Sequence, residues 1–140
     1  VGSEMCIRDS VTTDVFALRY HPDRASNLDF HLDDRFAYGE LILDLSLESE
    51  TTLTLYRGRP EGEVDDPADV VPACVRAPLP ARSLALLFGP ARYEWEHALL
   101  APDLPTPRTS ITLRTVSAAL AAQPEGRDVL ARAGRSLAPR

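Results

Sequence analysis

Three side chains able to hold a metal stand in a fixed order along this sequence: His31 and Asp33, separated by Leu32, and the distant His97. Two arginines, Arg108 and Arg114, follow them. Two imidazoles and one carboxylate on one side of a metal leave neighbouring positions open for other ligands, which is the arrangement of non-haem Fe(II) oxygenases. Most such enzymes consume 2-oxoglutarate together with O2, and the far carboxylate of that co-substrate needs a buried cation. A planar arginine fork meets it bidentately, as a lysine cannot. A His-x-Asp pair alone is a weak signal. The order of the groups, and the β-prone sequence around each of them, make the pattern informative.

The elements that must position these groups follow from period-two alternation. In a strand, residues two apart share a face, so a short strand over 28–32 brings His31 and Asp33 to one ion. His97 falls in a strand expected over 94–99, delivered from across the barrel, with Trp95 two residues back as an apolar wall. The last strand is expected over 108–116. Arg108 and Arg114 lie six apart on one face of it, their Cα atoms about 20 Å apart at ~3.3 Å per residue. Ser110 and Thr112 keep the wall between them polar. Arg108 is the candidate for the outer carboxylate and Arg114 for the metal end. Tyr20, ending a strand over 15–20, is placed to donate its hydroxyl to the co-substrate. Asp34 points to the opposite face, either supporting a ligand from behind or solvated, and His21, before Pro22, reads as a surface residue.

Elsewhere, Leu41, Leu43, Leu45 and Leu47 alternate with Ile42, Asp44 and Ser46 in a half-buried strand, and 53–56 repeats the pattern. The stretch 58–73 is rich in Gly, Pro and carboxylates (Glu61, Glu63, Asp65, Asp66, Asp69), which lack calcium-loop spacing and read as a solvated surface loop. Alternation resumes at 75–79, and the apolar run 84–88 has the character of a fully buried strand until Gly89-Pro90 breaks it. Residues 102–107 form a turn-rich linker. Ser117 is a candidate N-cap for short helices over 118–123 and 127–133. Many short strands with Gly/Pro turns and a helical end define a mainly β fold: a double-stranded β-helix, or jelly roll, over 11–117 with a helical tail over 118–140.

The chain has 140 residues, 44% hydrophobic and 26% charged, which suits one globular domain. No apolar run is long enough to cross a membrane, so no membrane partner is expected. The net charge is -6, and all 15 basic residues are arginines. An acidic balance argues against non-specific nucleic-acid binding, which depends on neutralising phosphates. Cys6 and Cys74 form no disulfide framework, and a reducing, intracellular (cytoplasmic) setting is expected for a monomer. The first ten residues, VGSEMCIRDS, have no strand or helix period and resemble the translation of a sequencing-library adapter, so they are set aside from the fold reading.

Three segments carry a family resemblance. Tyr20 with His31-Leu-Asp-Asp-Arg-Phe-Ala-Tyr-Gly39-Glu40, then Pro78-Leu-Pro-Ala-Arg-Ser83-Leu with Gly89-Pro-Ala-Arg92-Tyr-Glu-Trp95-Glu-His97, and the closing Arg108-x5-Arg114 strand look like the AlkB family of iron and 2-oxoglutarate dioxygenases. The likeness covers residue 15 to about residue 117, and HLDD with Gly-Glu and PLPARSL look most like the fourth of its numbered branches. Carried over position by position, the resemblance implies that His31, Asp33 and His97 bind iron. It implies further that Arg108 and Tyr20 bind 2-oxoglutarate and that Arg114 supports the same pocket. It implies an oxidative demethylase that hydroxylates an N-methyl carbon, the product collapsing to formaldehyde, while 2-oxoglutarate becomes succinate and CO2. Methylated protein lysine or another methyl-amine is the expected substrate, because no basic or aromatic stripe marks a nucleic-acid groove. Methyladenine in nucleic acid is the alternative, and a jelly roll that binds without turnover is a third reading. Two departures stand out. Leu18 occupies a position where some members carry asparagine, and the family's first strands and substrate lid precede residue 11. The chain is therefore expected to be N-terminally truncated, less stable and less tightly coupled than a complete gene product.

Overall fold

The computed structural model describes residues 11–58 and 72–136. Eight strands form along them: β1 (Asp14–Tyr20), β2 (Leu28–His31), β3 (Tyr38–Leu47), β4 (Thr51–Arg57), β5 (Ala73–Leu79), β6 (Ser83–Leu87), β7 (Glu96–Leu99) and β8 (Arg108–Val116). They make two antiparallel four-stranded sheets, in the orders β1-β8-β3-β6 and β2-β7-β4-β5. Face to face, these are the jelly roll expected from the strand pattern. Helices α1 (Pro90–Tyr93), α2 (Ala118–Ala121) and α3 (Pro124–Ser136) complete the fold. The Ser117 hydroxyl accepts from the Leu120 N–H and caps α2 as its residue type dictates. The first ten residues and the acidic stretch 59–71 lie outside the described residues. No helix among the described residues is long and apolar enough to cross a membrane.

Between the sheets, Tyr20, Ile42, Leu53, Leu79, Leu87, Leu99 and Leu104 form the buried cluster. The sheet β1-β8-β3-β6 inverts the usual distribution. The alternation of β3 is present, but the face turned inward is Ile42, Asp44 and Ser46, and Leu43 and Leu45 lie on the other face, whereas Leu41 is buried. Asp44 pairs with Thr112, and Ser46 with Ser110, so polar residues of β3 and β8 share the interior. On the outer face the register aligns Val15, Leu113, Leu43 and Leu86 in one row and Ala17, Ile111, Leu45 and Leu84 in the next. Leu84 and Leu86 are 51% and 42% exposed, so 84–88 is not the fully buried strand its composition suggests. It is an edge strand with alternating exposure. Continuous apolar sequence arises here because the inner side chains (Ala85, Leu87) and the outer ones are both hydrophobic.

Three further expectations are corrected. His97 does not arrive from across the barrel: β7 lies beside β2 in the same sheet, with His31 and His97 directly opposed. The strand carrying His31 ends there, so Asp33 belongs to the following turn, not to a shared strand face. The strand of His97 starts at Glu96, after Trp95, whose ring stacks under the Arg57 guanidinium at 5.1 Å instead of walling the site. Helix α1 was not foreseen. Gly89, with φ 55°, turns the chain from β6 into it, in a backbone region that a side chain rarely adopts. Where β3 bulges beside β8, Gly39 is also required, because a Cβ there would lie 2.7 Å from Thr115 Oγ1.

Candidate metal and dicarboxylate site

His31, His97 and Asp33 converge at one end of the inter-sheet space, with one ligand atom of each within 4.8 Å of the others. Cross-strand pairing of β2 and β7 sets the imidazoles side by side, ring centroids 4.3 Å apart and planes tilted by 52°. His31 Nδ1 lies 2.8 Å from the Asp29 carbonyl. A carbonyl only accepts, so Nδ1 carries the hydrogen and Nε2 keeps its lone pair for a metal. Asp33 Oδ2 sits 3.7 Å from His97 Nε2, and its Oδ1 accepts from Arg114 Nη2 at 2.9 Å. Burial pushes the His97 imidazole down to about 4, reinforced by His31 and opposed by Asp33. At neutral pH it is therefore an uncharged donor and not one half of an ion pair with Asp33. Two imidazoles and one carboxylate fit a divalent iron, with Leu28, Leu53 and Leu99 supplying the apolar wall.

The turn that carries Asp33 is held by a residue the spacing argument missed. Arg92, on α1, is 2% exposed and donates to the carbonyls of Asp33 (Nη1) and Asp34 (Nη2), both at 2.9 Å. Its Nε reaches the Gly39 carbonyl at 3.4 Å. A single guanidinium thus fixes the backbone of 33–39. The Asp34 carboxylate accepts from the N–H groups of Ala37 and Phe36, which hold it below its usual pKa in its exposed position. Asp34 is exposed, and its carboxylate holds the backbone of the turn rather than a metal ligand. Arg92 stood in the sequence inside the Gly89–His97 segment that carries the family resemblance, an arginine just after a strand break, and its burial and contacts came only with the fold.

Arg108 is fully buried at the other end of the same cavity of about 150 Å³. Tyr20, Asp44, Ser110, Thr112 and Arg114 line it too, so the strand face bearing both arginines points inward as expected. Tyr20 and Arg108 are cross-strand partners, the guanidinium 5.5 Å from the ring centroid. Burial raises the Tyr20 hydroxyl above its ordinary value, with Arg108 pulling the other way, so it remains a proton donor at neutral pH. Arg108 Nε donates to Ser46 Oγ at 3.1 Å and Nη2 to Asp44 Oδ2 at 3.0 Å. Its Nη1 and the Nε of Arg114 are buried without a partner among the described residues. An unmatched guanidinium nitrogen facing a cavity is costly unless a ligand completes it, and a carboxylate does so. His21, at a 3-10 turn over Pro22–Arg24, takes no part.

Comparison with known proteins agrees with this geometry. No family model matches the chain. The human protein named alpha-ketoglutarate-dependent dioxygenase alkB homolog 4 is 36% identical over 122 residues, taking in 72% of this chain and 40% of that protein. The mouse protein of the same name is 31% identical over 119 residues, 71% of this chain and 40% of the other. The chain thus spans about 40% of the length of the curated relatives it matches.

Proposed function

The chain belongs to the AlkB family, and from that premise we propose that it is an iron(II)- and 2-oxoglutarate-dependent dioxygenase that removes N-methyl groups oxidatively. One observation carries the reading: His31, Asp33, His97 and Arg108, which has one nitrogen without a partner among the described residues, line one cavity. When bound, iron(II) and 2-oxoglutarate supply the oxidising chemistry, in which O2 is consumed, the 2-oxo acid becomes succinate and CO2, and an N-methyl carbon is hydroxylated. The protein supplies placement. His31, His97 and Asp33 would hold the metal, and Arg114 fixes the Asp33 carboxylate through Oδ1. Arg108 and the Tyr20 hydroxyl would receive the far carboxylate of the co-substrate, and the leucines around His97 would exclude water.

The proposed substrate is a methylated protein lysine or another methyl-amine in an intracellular compartment. The net charge of -6 supports it, because it opposes the phosphate attraction on which nucleic-acid binding depends. The test supplies iron(II) and 2-oxoglutarate and measures succinate and formaldehyde in the presence of methyl-lysine peptides or N-methyladenine oligonucleotides. Succinate formation that disappears in Asp33→Ala, with formaldehyde raised by the peptides, is the expected result. Formaldehyde raised only by the oligonucleotides would transfer the substrate to nucleic acid. Absence of metal-dependent succinate would overturn the enzymatic reading.

A further inference from the structure

We propose that Asp44 determines which 2-oxo acids the cavity accepts, by occupying one arm of Arg108 and setting a fixed negative charge beside the place of the co-substrate's far end. The inference rests on the co-substrate reading above and adds a selectivity rule to it. Arg108 has three nitrogens. Ser46 takes Nε and Asp44 takes Nη2, which leaves Nη1 as the only one without a partner among the described residues. Asp44 is itself held from two sides, Oδ2 by Arg108 and Oδ1 by the Thr112 hydroxyl at 3.1 Å. It is therefore a fixture of the wall. Its side chain lines the cavity and retains 22% exposure, whereas Arg108 retains none.

Two consequences follow. An incoming carboxylate finds the Nε–Nη2 side of the guanidinium already bonded to Ser46 and Asp44, so it is confined to the Nη1 end, beside the Tyr20 hydroxyl. It also meets a like charge bonded to that same guanidinium. Repulsive elements of this kind shape specificity as much as attractive ones do. A 2-oxo acid whose far end is neutral and merely accepts a hydrogen bond still engages Nη1 and escapes the repulsion. Asp44 therefore weakens binding of the doubly charged acid and narrows its advantage over neutral-ended analogues.

The experiment is a calorimetric titration of the Mn(II)-loaded chain with 2-oxoglutarate and, separately, with its 5-methyl ester, for the native protein and for Asp44→Asn. Asparagine keeps an acceptor for Arg108 and removes the charge. The expected result is 2-oxoglutarate binding about tenfold tighter in the variant, equivalent to ~1.4 kcal/mol, with the ester changed less than about twofold. Equal shifts for the two ligands, or none, would show that Asp44 only props Arg108 and would overturn the proposal alone. A native protein that binds Mn(II) but neither ligand would overturn the co-substrate reading and this inference together. Thermal melting and Mn(II) affinity report whether the variant is folded. If Asp44→Asn is not, Asp44→Ser, which leaves room for a water to satisfy Arg108, decides by the same ratio.

Discussion

The two faces of the sheet β1-β8-β3-β6 differ in the reverse of the ordinary sense. Inward lie Arg108, Ser110, Thr112 and Arg114 from β8, with Asp44 and Ser46 from β3. Outward lie two rows of apolar side chains, among them Val15 at 65% exposure and Leu84 at 51%. The same period of two produces both faces, and alternation is blind to which is inside. Three charged side chains, Arg108, Asp44 and Arg114, are tolerable on the inner face of one sheet because each has an opposite charge beside it: Arg108 pairs with Asp44, and Arg114 with Asp14 and Asp33. An isolated buried charge would be expelled or neutralised. The lesson is that a polar interior face in a small sandwich marks the site, and the hydrophobic core shrinks to make room for it.

The largest effect should come from the ligand cluster that the inner face supports. Asp33→Ala removes a metal ligand and the partner of Arg114 together, and it should lower Fe(II) or Mn(II) affinity by at least about 100-fold in a metal titration. Survival of tight metal binding in that variant would detach the cluster from the inner face. Next, Arg108→Ala should weaken 2-oxoglutarate binding by roughly 2–5 kcal/mol while leaving the metal site intact. Unchanged co-substrate affinity would remove Arg108 from the site. Arg92→Met keeps the length of the side chain but not its donors to the turn of Asp33, and metal affinity should fall by about 10-fold. A variant with native metal affinity would show that the turn holds without Arg92. On the outer face, Leu84→Ser should move stability by no more than about 0.5 kcal/mol in chemical denaturation, because its side chain is half exposed on an edge strand. A loss of several kcal/mol would mean that the outer rows are packed in solution, and the contrast between the faces would vanish.

Most strands were legible because alternation and Gly/Pro breaks are local signals, and β8 runs over Arg108–Val116 as its sequence indicates. The site was legible to the extent that it is written as residue types in order. His31, Asp33, His97, Tyr20, Arg108 and Arg114 all reach the cavity. What escaped were the groups whose roles come from neighbours distant in sequence. Arg92 acts on carbonyls 53–59 residues away in the chain, and Asp44 on Arg108 at a separation of 64. The misplacements have the same origin. Trp95 shares a spacing with His97 but not a strand, and 84–88 reads as core because hydrophobicity alone does not distinguish an edge from a centre.

By itself, then, the sequence determined the chemistry available: two imidazoles, a carboxylate and arginines on β-prone segments, with a composition suited to a single jelly roll. Those are properties of residue type and short-range period. Only the tertiary structure decided that β2 and β7 lie side by side, that Leu43 and Leu45 of β3 turn outward, and that Asp44 takes hold of Arg108. Each of these is a choice between strand partners or sheet faces that local sequence leaves nearly equal in energy. It is resolved when the buried charges find partners that neutralise them.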